Sequence, residues 1–409
     1  MSNIIVAQSG GPTVAINASL VGVIKGAKKS GKFDKIYGAL HGINGVISEN
    51  FIELQGLDED KLSCIYSSPA CYLGSCRYKM PPVDEDTKLY EKVFEILERY
   101  DISAVFYIGG NDSMDTITKL SVYGERMGSD IRFAGVPKTI DNDLIQIDHT
   151  PGYGSAAKFI AQSMLEIAHD TAIYEVPCVT IVEIMGRNAG WLTAAAALAR
   201  NEYSQIPQLI YLPEIAFDID RFISDVEELL KVTNNVVVAV SEGIKDSSGA
   251  YLSAQTAAND KFGHAQLSGA GKCLEMAVKS RLKIKCRSVE LNILQRAAAH
   301  AASKTDLDEA QMLGEKAVSY ALEGNSGFMP ILKRVPGDEY SCTYEMGKLS
   351  EIANKEKNVP REWINEAGND VTQDMIDYVQ PLILGEVKIE YKNGLPSYIE
   401  IPHLVTSRN

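Results

Sequence analysis

The chain has 409 residues, 45% of them hydrophobic, which is enough for a large core and for more than one lobe. A formal net charge of −14 argues against a general nucleic-acid or anionic-membrane partner, although cations gathered locally would still hold a phosphate. Seven cysteines without a CxxC pair point to free thiols in a reducing compartment rather than a zinc or disulfide framework.

Met1-Ser2-Asn3 runs straight into an apolar strand, with no basic leader and nowhere the roughly 18 uninterrupted apolar residues of a membrane span. A soluble, cytoplasmic protein is expected. Residues 3–8 read as a strand, Gly10-Gly11-Pro12-Thr13 as a turn, Ala15 to Ser30 as a helix and Lys35 to Leu40 as the next strand. Lys88 to Tyr100 is amphipathic. Strand 104–108, a helix from Asp115 to Met127 and strand 131–136 follow. The pattern then restarts near residue 151, with a helix over 155–170, strand 178–184 and a helix over 191–200. Strand 208–212, helix 220–232, strand 236–240 and helices over 264–282 and 306–322 complete it. This βαβ rhythm predicts an α/β fold of two Rossmann-like three-layer lobes, each with a mostly parallel sheet. The remaining residues read as an ordered C-terminal extension returning over both lobes.

Ligands of open α/β sheets bind outside the carboxyl ends of the strands. Two segments there carry chemistry, Gly109-Gly110-Asn111-Asp112-Ser113 and Pro137-Lys138-Thr139-Ile140-Asp141-Asn142-Asp143. Two glycines allow backbone to approach a phosphate, and the Lys138 ammonium suits a transferring phosphoryl group. If 141–143 stays extended, Asp141 and Asp143 face the same side, one taking a proton while the other sits near a metal or orients its partner; the alternative reading of the segment is an Asx-rich turn. Asn111 and Asp112 offer oxygen ligands of the kind Mg²⁺ takes, and Asp112, Ser113 or Asp115 is equally suited to cap the following helix. Gly10-Gly11 before a helix is a further phosphate cradle, or simply a tight turn. It matches neither the Walker sequence nor GxGxxG. Arg187, in Met185-Gly186-Arg187, suits an anionic group or a structural ion pair, and Glu242 could accept sugar hydroxyls or serve as a cap or turn residue. Arg77, Arg287 and Arg296 are isolated cations, each of which taken alone reads as surface charge.

Taken together these segments resemble the phosphofructokinase family. The matching pieces, in order, are Gly10 to Thr13 with Asn17, Leu73-Gly74-Ser75-Cys76-Arg77, Gly109 to Ser113, Pro137 to Asp143, Met185 to Arg187, Glu242-Gly243 and Gln295-Arg296. The resemblance implies phosphorylation of fructose 6-phosphate at its 1-hydroxyl, with Mg²⁺, in glycolysis and gluconeogenesis. It implies Asp141 as general base and contacts from Thr139, Ile140 and Asp141 near the reacting centre. Met185, Gly186, Arg187 and Glu242 would hold the sugar. Arg296 would meet the 6-phosphate, and Arg287 would reach it from a neighbouring subunit of a homodimer or homotetramer. Gly11, Arg77 and Lys138 would serve the phosphoryl donor, and Asn111 the metal. Residues 1–150, with part of 290–330, would form the donor lobe, 151–290 the sugar lobe and 331–409 the extension.

ATP-dependent members are similar but typically carry glycine where Asp112 and Lys138 stand. A carboxylate at 112 would repel an ATP α-phosphate, and Lys138 would neutralise pyrophosphate and its leaving phosphate. Both residues together resemble the pyrophosphate-dependent branch, whose reaction is close to reversible. Three positions depart from the family pattern: Asn111 where aspartate is usual, Cys178 where many ATP-dependent members have arginine, and Ile293 where histidine or tyrosine is common. The rival readings are an ATP-dependent kinase of the same fold and a non-catalytic sugar-phosphate sensor.

Overall fold

The computed structural model describes residues 2–173, 175–253 and 269–402. The strands β1 (Ser2–Gln8), β2 (Phe33–Ala39), β3 (Phe51–Glu53), β4 (Ile102–Gly109) and β5 (Arg132–Pro137) come first in the chain. Next come β6 (Cys178–Ile184), β7 (Leu209–Tyr211), β8 (Asn235–Ser241) and β9 (Lys285–Glu290), and then β10 (Phe328–Arg334) and β11 (Cys342–Lys348). They build a seven-stranded sheet of order β11-β10-β5-β4-β1-β2-β3 and a four-stranded sheet of order β7-β8-β6-β9. The smaller sheet is wholly parallel. The larger is antiparallel only at its two edges, β2–β3 and β10–β11. The expected mostly parallel α/β architecture is therefore present.

Central strands buried on both faces read as unbroken apolar runs, as Ile4-Ile5-Val6-Ala7 and Val236-Val237-Val238-Ala239-Val240 do. Helices cover the faces by periodicity. Thr87–Arg99 starts at an Asp86 cap, whose carboxylate accepts from Leu89 N, and buries Tyr90, Val93, Phe94, Ile96 and Leu97. Lys304–Leu322 comes late in the chain but packs Ala317, Val318 and Ala321 into the same core as Ile16, Leu20 and Ile24 of helix Ala15–Ser30. That puts part of 290–330 against the first sheet.

The C-terminal residues serve both sheets. β10 and β11 extend the larger one beside β5, and Leu349 and Ile352 join its core. Val359, Ile364, Val371, Met375, Tyr378 and Leu382 pack with Tyr153, Ile184 and Trp191 against the smaller one. Of the helix expected over 264–282, Ala270–Leu282 is present and 264–268 lie outside the described residues. The helix expected over 191–200 is a short α turn, Trp191–Ala194, continued as a 3₁₀ segment to Ala199. Among the described residues no helix is long and apolar enough to cross a membrane.

Candidate active site

Three strand ends meet on the donor side. After β1 the chain turns at Gly10, whose φ of +80° favours glycine. Ser75 Oγ donates to Gly10 O at 2.7 Å and so holds the 71–77 loop against this turn. β4 ends at Gly109, where a Cβ would stand 2.0 Å from Ser113 Oγ, so only glycine lets the helix start there. That helix begins at Asn111, four residues earlier than expected, and Gly110 is its N-cap without any side-chain cap bond. Asp112, Ser113 and Asp115 are thus inside the helix rather than capping it. Asp112 is exposed in the first turn. After β5 comes Lys138, 2% exposed, whose Nζ donates to Gly11 O at 2.8 Å. Burial lowers its affinity for a proton, opposed by the Cys71, Asp141 and Asp143 groups nearby.

The Asp141–Asp143 segment is not extended. Asn142 has φ +54° and is fully buried; its Nδ2 donates to Tyr378 OH at 2.9 Å and its Oδ1 accepts from Thr150 N at 2.9 Å. The expectation that alternation would put both carboxylates on one side therefore fails, because the asparagine amide holds a bend instead. The bend still brings the two charges within mutual influence. Asp141 opens onto solvent while being ringed by protein, and Thr139 Oγ1 lies 3.3 Å from its Oδ2. The surrounding protein pushes its acidity range up, and Lys138, Thr139, Arg187 and Arg296 pull it back down. Asp143 is pushed up to about 7 by burial and by the Asp141 charge. With three cations around it, Asp141 is the better placed of the two to be ionised.

On the facing side, Met185-Gly186-Arg187 leaves β6. Gln295 Oε1 accepts from Met185 N at 3.2 Å, and Glu242 Oε1 accepts from Gly186 N at 3.3 Å. Glu242 is pushed up to about 7, first by burial and then by Asp141 and Glu183, against Arg187. The charges of Asp141, Arg187 and Glu242 thus act on one another across the cleft. Arg296 lies beside the donor turn: a Cβ on Gly11 would be 3.3 Å from its Nη1. Burial and then the Arg77 charge disfavour its proton, while Asp141 favours it. Its neighbours lie on both sides, Gly11 and Arg77 toward the donor and Glu242 toward the sugar.

Other expected residues lie apart. Ile140 is buried in the apolar core with Tyr153. Arg287 sits midway along β9, ion-paired with Asp170 and 3.2 Å from Thr180 Oγ1, on a surface groove of about 300 Å³. Local sequence gave no signal for Cys71, Asn142 as a hub, or residues 354–359, whose Lys355 O accepts from Asn111 Nδ2 at 3.1 Å. The donor set suits a hard cation. Asn111 Nδ2 donates to Asp143 Oδ2 at 3.0 Å, while Asn111 Oδ1 and Asp143 Oδ1 are buried and lack a hydrogen-bond partner. Among the described residues no group of three or more His, Cys, Asp or Glu is placed to hold a metal, so phosphate oxygens and water would fill out such a shell.

Glycine turns at strand ends, a buried lysine and facing acids define a phosphoryl-transfer site on a doubly wound fold. The chain belongs to the phosphofructokinase family, whose model matches residues 3–321. It is 40% identical to a pyrophosphate–fructose 6-phosphate 1-phosphotransferase of Halomonas elongata, over 98% of this chain and 96% of that protein. It is 39% identical to the protein of the same name from Xanthomonas campestris, over 99% and 97%. Among solved structures it resembles a pyrophosphate-dependent phosphofructokinase from Nitrosospira multiformis, with a TM-score of 0.89, 38% identity and coverage of 98% of this chain and 96% of that one.

Proposed function

We propose that this chain transfers a phosphoryl group from pyrophosphate to the 1-hydroxyl of fructose 6-phosphate, giving fructose 1,6-bisphosphate and phosphate. The observation that carries this reading is the buried Lys138 ammonium, fixed on Gly11 between the donor turns and Asp141. The near-full-length likeness to relatives of that name supports it.

In this reading Asp141 takes the proton of the 1-hydroxyl as its oxygen attacks phosphorus and the bond to the leaving phosphate breaks. Its ionised form is favoured by Lys138, Arg187 and Arg296. Lys138, Arg296 and Arg77, with the backbone of Gly11, hold the donor and neutralise charge on the leaving phosphate. Arg296, with Gly11 and Arg77 on its donor side and Glu242 on its sugar side, serves the donor as well as the 6-phosphate. Met185, Gly186, Arg187 and Glu242 orient the sugar, and Thr139 steadies Asp141. Asn111 and Asp143 would hold Mg²⁺, which supplies charge neutralisation to the pyrophosphate oxygens. Asp112 sits at the helix start where a nucleotide would extend, and its charge disfavours ATP. One phosphate bond is exchanged for another of similar energy, so the reaction runs in both directions. The enzyme acts in the cytoplasm as a homodimer or homotetramer, with the exposed Arg287 offered to a neighbouring subunit.

The test is fructose 1,6-bisphosphate formation from fructose 6-phosphate and Mg²⁺, with pyrophosphate or ATP in parallel. Turnover with pyrophosphate alone is expected. Turnover with ATP alone overturns the donor assignment, and silence with both overturns the function.

A further inference from the structure

Residues Asn354–Val359 lie beyond the family-matched span of 3–321, yet they touch both sides of the cleft. Three successive residues reach three different site segments. Lys355 O accepts from Asn111 Nδ2 at 3.1 Å. The Glu356 carboxylate accepts from Asn188 Nδ2, 3.1 Å from each oxygen, in the loop that carries Arg187. Lys357 N donates to Asp143 O at 2.7 Å. The same residue reaches across: its carbonyl accepts from Trp191 Nε1 at 2.8 Å, and its Nζ donates to Asp148 O at 2.6 Å. At the ends, Asn354 Nδ2 donates to Asp115 Oδ1 at 2.9 Å, and Val359 N to Glu214 Oε1 at 3.0 Å. Glu214 in turn accepts from Gly190 N at 2.8 Å.

The two tied loops leave different sheets, so their spacing is not set by strand pairing. We propose that 354–359 is a strap that sets the sugar-side loop 185–191 against the donor-side residues Asn111 and Asp143, with Glu356 as the positioning residue on the sugar side. The inference rests on the function proposed above. Glu356 is exposed, so its bond to Asn188 contributes little to stability. What the bond does is fix where that loop stands. A misplacement of about 1 Å at a reacting centre costs on the order of 10²-fold in rate.

The test is steady-state kinetics of the full chain with fructose 6-phosphate and pyrophosphate. Glu356→Ala is expected to lower kcat roughly tenfold while the KM for fructose 6-phosphate stays within about twofold, because the alignment matters most in the transition state. Tm stays within about a degree. Glu356→Gln keeps an acceptor for Asn188 and retains most of kcat. Asn188→Ala matches Glu356→Ala, and the double variant is no slower than either single one, since both remove the same contact. Unchanged kcat in Glu356→Ala, multiplied losses in the double variant, or failure of Glu356→Gln to recover each overturns the strap. A wild type silent with pyrophosphate instead removes the functional reading itself, and the strap's role with it.

Discussion

The Lys138 ammonium stands 2.8 Å from the carbonyl oxygen of Gly11, and so ties the end of β5 to the turn after β1 across the end of β4. A lysine held this way has little freedom left to lose when it meets a phosphate. Burial makes its charge costly, and nearby Asp141 and Asp143 offset part of that cost. Lys138→Met keeps the stem and removes the charge. It is expected to lower kcat with pyrophosphate by about 10²–10³-fold, the range for losing one preorganised charge-stabilising donor. The KM for fructose 6-phosphate should change little. Steady-state kinetics checks this, and an unchanged kcat would take Lys138 out of the reaction.

Asp141 is the acid with cations on both sides of the cleft, Lys138 and Arg296 toward the donor and Arg187 toward the sugar. Asp141→Ala should cost about 10²–10⁴-fold in kcat, the range for removing a general base. Binding of fructose 6-phosphate, measured by calorimetry, should persist. Retained turnover would remove Asp141 from the base role.

Much of this was readable from local pattern. The parallel strands announce themselves as buried apolar runs, and the glycines and acids of 109–113 and 137–143 fall where an α/β sheet presents its ligands. The bend at Asn142 was readable only as the alternative Asx-rich turn; what decides for it, Tyr378 and Thr150, was not, one of them being more than two hundred residues away. The role of 354–359 was hidden for the same reason: its partners lie more than a hundred residues away, and several of the contacts run through its backbone groups, which leave no mark in sequence. Arg296 was expected at the sugar's 6-phosphate, and its closeness to Gly11 and Arg77 is what motivates the additional donor role proposed for it.

The stability of the ligand-free protein should fall as pH rises from about 5 to about 9. Asp143 and Glu242 are pushed up to about 7, chiefly by burial, from an unfolded range near 4. For a raised group the stabilisation is complete below the unfolded value and is lost as pH rises through the folded one. His149 adds a later step in the same direction. Burial would lower it, but Glu309 and Asp148, 2.6 and 2.8 Å from its ring nitrogens, raise it to about 9. Calorimetric melts should therefore give a Tm several degrees lower at about pH 8.5 than at about pH 6. Asp143→Asn or Glu242→Gln should flatten the part below about pH 7, and His149→Gln the part above. A Tm that holds steady or rises over this range would contradict the assignment.

In the proposed reading Asn111 would offer Mg²⁺ an amide oxygen beside Asp143, and charge count tunes the affinity of such sites. Asn111→Asp replaces the Nδ2–H that now bonds Asp143 with a second carboxylate. Without metal the two acids repel, so the variant should melt below wild type above about pH 7. With Mg²⁺ the added charge should lower the half-saturating concentration for activity roughly tenfold. Asp143→Asn removes a charge from the same pair and should raise that concentration. Mg²⁺ titrations of kcat and of Tm read both effects, and chelation should abolish turnover in all three proteins. If neither substitution moves the Mg²⁺ dependence, the cation is held elsewhere, and the two unpartnered oxygens have another purpose.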